Sequence, residues 1–378
     1  MRRVLLLCEY PTLNGGEQSL LALLPLLRTT ADFHFAALAP PSGPLAEAFA
    51  AHDVEVLPLE VSADGQRSQA ALRAQIVRAI QQTKPDVVHA NSLAMGRLAG
   101  PVAAAHGVPS IAHLRDIIGL SGQAIVDLNQ NTRLLAVSAA TRTHHISQGI
   151  DADKAFVVYN GVDLARFHPR PHSGWLHRQL QLPPDAMLIG TIGQLVLRKG
   201  HDVLAEAAAL LARHFPRAHY VIVGERYSTK DEARNHEEHV RQRFARGDLA
   251  GRGHFLGVRQ DVPEILTELC LLVHPARQEP LGRVLLEAAA SGVPVVATDV
   301  GGTSEIFPPG TALLVPPNDP VALAESMSAI LNDGALREKL AASALDRARR
   351  CFDAAVAAAE LARHYLAAIS RSGAQRTG

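Results

Sequence analysis

Short apolar runs, alternating with longer segments of helical period and repeated in two series, constrain this chain more than any other feature. The first series reads VLLLC, FHFAALA, VEVLPL, DVVHA, SIAHL, LLAVS and AFVVY, with helical segments between most of them, such as Gln66 to Gln82 and Ser138 to Gln148. A second begins near Met187 with MLIGTIG and continues through YVIVG, HFLG, CLLVHP and VPVVAT. Runs this short and this apolar predict strands of a parallel sheet covered on both faces by helices. Between the two series Asp163 to Asp185 is rich in Pro, His and Arg and reads as a linker, which places a domain boundary near residue 170. Alanine-heavy sequence from Phe352 to Ile369 closes the chain as helix. The length of 378 residues fits two α/β domains at roughly 150 residues each. Such a layout puts ligands at the carboxyl ends of the strands, here in a cleft between two domains. Dehydrogenases share it, so architecture alone does not choose a function.

Charge removes one class of partner. Lys plus Arg (37) equals Asp plus Glu (37), which argues against a generally basic nucleic-acid binder while leaving a local basic cleft open. Cys8, Cys270 and Cys351 are widely spaced with no CxxC, as for reduced thiols in a cytoplasmic protein. The apolar run after Met1 ends at Glu9, too soon for a signal sequence, and Leu20 to Leu27 is broken by Pro25. No membrane crossing is expected; peripheral attachment at the inner face stays open.

Three segments carry chemistry. In EPLGRVLLEAAASGVPVVATD, Gly282 permits a tight entry into a helix whose first amides lack intrahelical acceptors and suit an anion such as a diphosphate. Glu279, just before that helix, can accept from sugar hydroxyls, and Glu287 can accept from both hydroxyls of a ribose. For either glutamate alone, an ordinary surface helix explains the pattern equally well. In GTIGQLVLRKGHDVL a strand ends at Gly193 and Lys199-Gly200 opens a helix, putting a compact cation where charge on a leaving phosphate would build. In CEYPTLNGGEQ, Gly15-Gly16 allows close backbone approach at a helix start. This is not the dinucleotide GxGxxG, because the third glycine is absent and Glu17 would face the pyrophosphate. An ordinary turn is the alternative.

The EPLG…E string resembles the signature of the retaining glycosyltransferases of the GT-B fold (group 1, family 4-like), which include bacterial mannosyltransferases, sucrose synthases and glycogen synthase relatives. Other segments extend the resemblance over nearly the whole chain: KPDVVHANS with His89 and Asn91, AVSAAT at Ser138, VVYNGVDLARFHP with Asn160, Gly161, Asp163 and Phe167, and HFLGVRQDVPEIL with Val258 and Arg259. It implies an α/β chain of two facing Rossmann-like domains with a cleft between them. Residues 1–170, joined by the C-terminal helix 352–370, would form the acceptor side, and 171–351 would bind the nucleotide sugar. It further implies that Glu279 contacts the donor sugar, Glu287 the ribose, backbone at Gly282, Arg283 and Val284 the sugar and phosphate oxygens, and Val258 and Arg259 the base. The loop at Gly15 and Gly16 would border the donor phosphate, and Lys199 would oppose its charge. The family more often has arginine where this chain has Gln194, so Arg198 or helix amides would share the work of Lys199. A histidine commonly stands near the reacting carbon at the segment IAHLRD; His113 and Arg115 both remain candidates, with a core-packed His113 as the other reading. Transfer would retain anomeric configuration, with the leaving phosphate taking the acceptor proton, and would need neither metal nor cofactor.

Several patterns are set aside. Asp151-Ala-Asp153 looks like a metal-binding DxD but precedes VVYNG, as a solvated turn would. His236 and His239 sit in the charge-dense Arg226 to Arg252 without a suitably spaced third ligand, so an exposed helix is expected there rather than zinc. There is no GxSxG elbow and no catalytic-cysteine signature. Two rivals remain: a sugar-nucleotide epimerase of the same architecture, and a nucleotide-sugar-binding subunit without activity, which Gln194 makes conceivable.

Overall fold

The computed structural model describes residues 2–60 and 68–376. Contacts divide the chain into two units, one formed by residues up to Gly161 together with those from Asp353 onward, the other by Val162–Phe352. The division thus follows Gly161 rather than residue 170. The Pro- and His-rich stretch expected as a linker belongs to the second unit, where it carries a short helix, Trp175–Gln179.

In the first unit, β1 (Arg2–Leu7), β2 (Phe33–Ala39), β3 (Glu55–Pro58), β4 (Val87–Ala90), β5 (Ser110–Leu114), β6 (Arg133–Ala136) and β7 (Ala155–Val157) form a parallel sheet in the order β3-β2-β1-β4-β5-β6-β7. The run at β1 is continuously apolar because it is buried on both faces. Val4 and Leu6 enter one core cluster, and Leu5 and Leu7 enter another. Each such leucine contributes about 1.5–3 kcal/mol of burial. The C-terminal helix Ala354–Arg376 packs on the helix Gly15–Ala31, with Tyr365 set edge-on to Phe33 at 5.1 Å. The helix expected from Gln66 runs Gln69–Thr83, capped by Ser68; Gln66 itself lies outside the described residues.

In the second unit, β8 (Met187–Ile192), β9 (Ala218–Val223), β10 (Gly253–Phe255), β11 (Leu271–His274), β12 (Val295–Thr298) and β13 (Leu313–Val315) form a parallel sheet in the order β10-β9-β8-β11-β12-β13. The sequence analysis did not single out β13, whose Leu-Leu-Val run is only three residues long, with Leu313 and Leu314 partly buried. Each sheet reverses its winding once, between β1 and β4 and between β8 and β11. At such switch points the loops leaving two neighbouring strands diverge and open a crevice at their carboxyl ends. Among the described residues no helix is long and apolar enough to cross a membrane.

Candidate functional site

The switch point of the second unit gathers the most polar chemistry. After β8, Leu197–Lys199 makes one short helical turn, and Gly200 leads into the helix His201–Leu211. Gly200 has φ +68°, and a Cβ there would stand 1.9 Å from the carbonyl oxygen of Pro275, just past β11. Only glycine lets the two loops meet this closely. The contact delivers Lys199 to the end of β11, where its Nζ lies 2.5 Å from Glu279 Oε2. The same oxygen is 2.8 Å from His274 Nε2.

Glu279 and His274 are buried. Burial alone pushes the Glu279 carboxyl upward, but the Lys199 charge and the hydrogen bond from His274 outweigh it and hold the group well below the usual carboxylate range. His274 is itself lowered, first by burial and only partly offset by Glu279, so its ring is neutral at pH 7 and donates from Nε2. Behind it, burial lowers His201 to about 3 and also lowers His236. His236 thus lies inside, 3.9 Å from Asp202, on the helix Asp231–Phe244. This corrects the expectation of an exposed histidine: the helix is amphipathic, and His236 shares its inner face with Ala233, Val240 and Phe244.

Arg277, which sequence reasoning missed, fastens the two loops. Its guanidinium forms a bidentate pair with Asp202 at 2.9 and 2.6 Å and donates to the carbonyl of Leu197 and to Asn318 Oδ1, both at 2.6 Å. Its backbone N–H donates to the carbonyl of Arg198 at 2.8 Å. The available signal was an arginine two residues past a strand-ending HP, too common a pattern to single out. Arg198 points outward and Gln194 is half-buried.

Beyond Glu279 the chain turns at Gly282, with φ +83°, into the helix Arg283–Ala290. A Cβ on Gly282 would lie 2.7 Å from Leu285 Cδ1 and 3.1 Å from Glu279 Cγ, so the turn also keeps the helix start beside Glu279. The amides of Arg283 and Val284 have no acceptor within the helix. Glu287 is buried one turn in, 2.7 Å from Arg283 Nε. Burial raises its pKa, with Arg283 opposing. Val258 is exposed in the loop after β10, and Arg259 there is held by Asp261 at 2.8 and 2.6 Å. All strands of this sheet are parallel, so the loops bearing Lys199, Val258 and Glu279 leave its same, carboxyl end. Gly302, after β12, joins them by donating to the carbonyl of Glu279 at 3.0 Å.

The switch point of the first unit holds a second network. His89 of β4 bridges His113 Nδ1 at 2.7 Å and the Tyr365 hydroxyl at 2.6 Å, all three side chains being buried. Burial brings His89 down to about 3 and holds His113 well below the ordinary range. Arg115 follows β5 and donates to the Asn91 carbonyl (3.0 Å), Asn91 Oδ1 (2.8 Å) and Asn160 Oδ1 (2.8 Å). Desolvation lowers it to about 10, still charged at neutral pH. A Cβ on Gly16 would lie 3.0 Å from Arg115 Cδ, so this guanidinium stands against the glycine loop. Gly15 has open space on its Cβ side. Glu17 is buried, and that burial raises its pKa against the opposing charge of Arg115. His113 and Arg115, alternatives in the sequence, are therefore neighbours in one network, with the Arg115 Nη2 at 3.4 Å from His113 Nδ1.

Comparison with known proteins gives a consistent picture. The family described as glycosyl transferases group 1 matches residues 175–347, and that described as glycosyltransferase family 4 matches residues 13–166. A lipopolysaccharide core biosynthesis mannosyltransferase, LpsB of Rhizobium meliloti, is 33% identical over half of this chain and 52% of its own length. A D-inositol 3-phosphate glycosyltransferase of Frankia alni is 30% identical over 74% of each chain. Against the first three curated relatives, the match spans 52%, 63% and 54% of their own lengths. Among solved structures, Anabaena HepE in complex with UDP-glucose superposes with a TM-score of 0.86 at 24% identity, covering 97% of this chain and all of that one. Sucrose-phosphate synthase of Thermosynechococcus elongatus gives 0.78 at 19% identity, over 98% of this chain and 100% of its own. The fold shared with these structures is GT-B.

Proposed function

Because this chain belongs to the group 1 glycosyltransferases, we propose that it moves a hexose-type sugar from a nucleoside-diphosphate sugar to an acceptor hydroxyl with retention at the anomeric carbon. One observation carries the reading: a half-buried lysine joined to a buried glutamate and histidine, packed against the glycine turn of a helix whose first amides have no acceptor within it. That set offers a cation and amides to phosphate oxygens, and a carboxylate to sugar hydroxyls, within one loop.

In the proposed reaction the bond between the anomeric carbon and the leaving phosphate oxygen breaks. The acceptor oxygen bonds to that carbon on the same face, and its proton passes to the leaving phosphate. Lys199 and the amides of Gly282, Arg283 and Val284 oppose the charge that develops there, and they do so in a fixed arrangement. Glu279 accepts from the sugar hydroxyls while His274 donates to its Oε2. Glu287, oriented by Arg283, accepts from the ribose diol. Arg115, steadied by Asn91 and Asn160, lies beside the glycine loop as the cation of the first unit, with His113 behind it as a positioning residue. No step requires a metal. The place of action is proposed as the cytoplasm, in keeping with three unpaired cysteines.

The test begins with thermal stabilisation by UDP, GDP and ADP and their sugars, with UDP sugars first because HepE shares the fold and was crystallised with UDP-glucose. A ligand at about a hundred times its dissociation constant adds roughly 2.7 kcal/mol, enough to rank the bases. The selected donor is then incubated with candidate acceptors. Release of free nucleoside diphosphate that depends on acceptor supports the proposal. Epimerised donor without acceptor, or tight binding with no turnover across a broad acceptor panel, overturns it.

A further inference from the structure

A separate cluster lies at the start of the second unit, among residues given no role above. His172 and His177 flank the beginning of the Trp175–Gln179 helix, and Glu268 ends the helix Val262–Glu268. One nitrogen from each histidine and one Glu268 oxygen lie within 4.8 Å of one another. His172 Nε2 is 3.3 Å, and His177 Nδ1 3.8 Å, from Glu268 Oε2.

The hydrogen bonding around the cluster leaves it unfinished. Glu268 Oε1 is saturated: the N–H and hydroxyl of Ser173 donate to it at 2.8 Å each, and the N–H of Gly174 at 3.1 Å. Oε2 of the same buried carboxylate has no hydrogen-bond partner. His177, also buried, donates from Nε2 to the carbonyl of Ala186 at 2.9 Å, which commits its proton to that nitrogen. In the neutral ring this leaves Nδ1 as a bare lone pair, and that nitrogen is likewise without a hydrogen-bond partner. Two unpaired acceptors inside a protein, facing each other, are costly unless a positive group stands between them.

We propose that His172, His177 and Glu268 bind a zinc ion that fastens the entry segment of the second unit to the Val262–Glu268 helix. Zinc takes imidazole nitrogen and carboxylate oxygen at about 2.0–2.2 Å, so tetrahedral ligands stand about 3.3–3.6 Å apart; the two histidine–carboxylate distances here, 3.3 and 3.8 Å, fall near that spacing, and all three atoms lie within 4.8 Å. The outer contacts are also those of a zinc site: one imidazole is oriented by a backbone carbonyl, and the carboxylate by hydrogen bonds to its second oxygen. His172 is half-exposed, so the fourth position opens toward solvent and takes water. The reading does not depend on the transfer reaction, because Lys199, Glu279 and Glu287 lie on other elements of this unit.

The experiment uses the full chain, stripped with chelator and exchanged into metal-free buffer. Zinc is followed by calorimetry and thermal melting, and cobalt(II) by its visible absorption. The parent is expected to bind one tight equivalent, to melt several degrees higher with zinc, and to give the intense cobalt bands of a low-coordinate nitrogen–oxygen site. The chain has 18 histidines, so loose surface binding is separated by variants. His172→Ala removes a half-exposed side chain, and Glu268→Gln keeps an oxygen for Ser173 and Gly174; each is expected to lose the tight equivalent and the melting shift. A parent without a zinc-dependent melting shift, or either folded variant retaining the tight equivalent, overturns the proposal.

Discussion

Replacing Lys199 by alanine tests the centre of the proposed reaction, and its consequences divide into two measurable parts. Lys199 and Glu279 are 2.5 Å apart with side chains only 14% and 7% exposed. Removing one partner of a buried pair strands the other charge, at about 3–5 kcal/mol of stability. In turnover, losing a preorganised group that opposes transition-state charge costs roughly a hundred- to a thousand-fold, or about 2.7–4 kcal/mol. The pH dependence identifies the stability part. Lys199 is the largest cause holding the Glu279 carboxyl below its ordinary value of 4.5. A depressed carboxyl contributes stability that is full above its unfolded pKa and is lost as pH falls through the folded one. The parent therefore keeps this contribution down past pH 4.5, whereas Lys199→Ala lacks much of it at neutral pH. The double variant Lys199→Ala, Glu279→Gln removes the stranded charge, so it should recover stability without recovering turnover. Denaturant melts from pH 7 to 4, with steady-state transfer at saturating acceptor, read both parts. Near-parental turnover in Lys199→Ala would refute the role of this lysine in leaving-group stabilisation, and a change confined to the Michaelis constant would make it a ground-state binder.

Two further outcomes are specific. Glu287→Gln is expected to weaken nucleotide binding by about 1.5–3 kcal/mol and to reduce the preference for ribo- over 2′-deoxy-nucleotides, measured by calorimetry; an unchanged preference removes Glu287 from the ribose. Gly200→Ala is expected to destabilise the chain by more than the roughly 1–3 kcal/mol of a non-glycine left-handed residue, because its Cβ also meets the Pro275 carbonyl at 1.9 Å; a thermal midpoint within a degree of the parent would show that the two loops are not fastened there.

Strands with a two-sided core were legible because β1, β4, β8 and β11 carry short apolar runs buried on both faces, and the loops after β1, β8 and β11 were legible because glycine marks them. Lys199 and Glu279 could each be named from sequence, but not their mutual contact. That contact depends on Gly200 fitting under Pro275, 75 positions away along the chain by residue number. His274 and Arg277 were hidden for another reason: a neutral donor and a clamp act through Glu279, Asp202 and the Leu197 carbonyl, and none of these partners is near in sequence except Glu279. The choice between His113 and Arg115 rested on which residue of IAHLRD takes the place of the family's histidine, and the two lie two apart at a strand end. The structure replaces that choice with a network, since Arg115, just past the end of β5, turns back to 3.4 Å from His113 Nδ1. His236 was read as exposed from the charges beside it, but three apolar neighbours at helical spacing turn that residue inward.

Charge counting at the second unit explains why Gln194 matters. Lys199 is balanced by Glu279 and Arg277 by Asp202, while His201, His236 and His274 are neutral at pH 7 because burial depresses them. The cluster thus carries no surplus positive charge before a donor arrives, and the exposed Arg198 is the nearest cation on the same loop outside it. Under the proposed reading a diphosphate can draw on Lys199 only by competing with Glu279 for it. The helix amides add a charge equivalent of roughly half a unit. As Lys199 turns toward phosphate, Glu279 loses its counter-charge in a buried setting, and sugar hydroxyls are the groups placed to replace it. Phosphate and sugar recognition are then coupled through one carboxylate. An arginine at position 194 would loosen that coupling by supplying phosphate with a cation of its own, which is why Gln194→Arg should restore part of the turnover lost in Lys199→Ala if the two positions face the same phosphates.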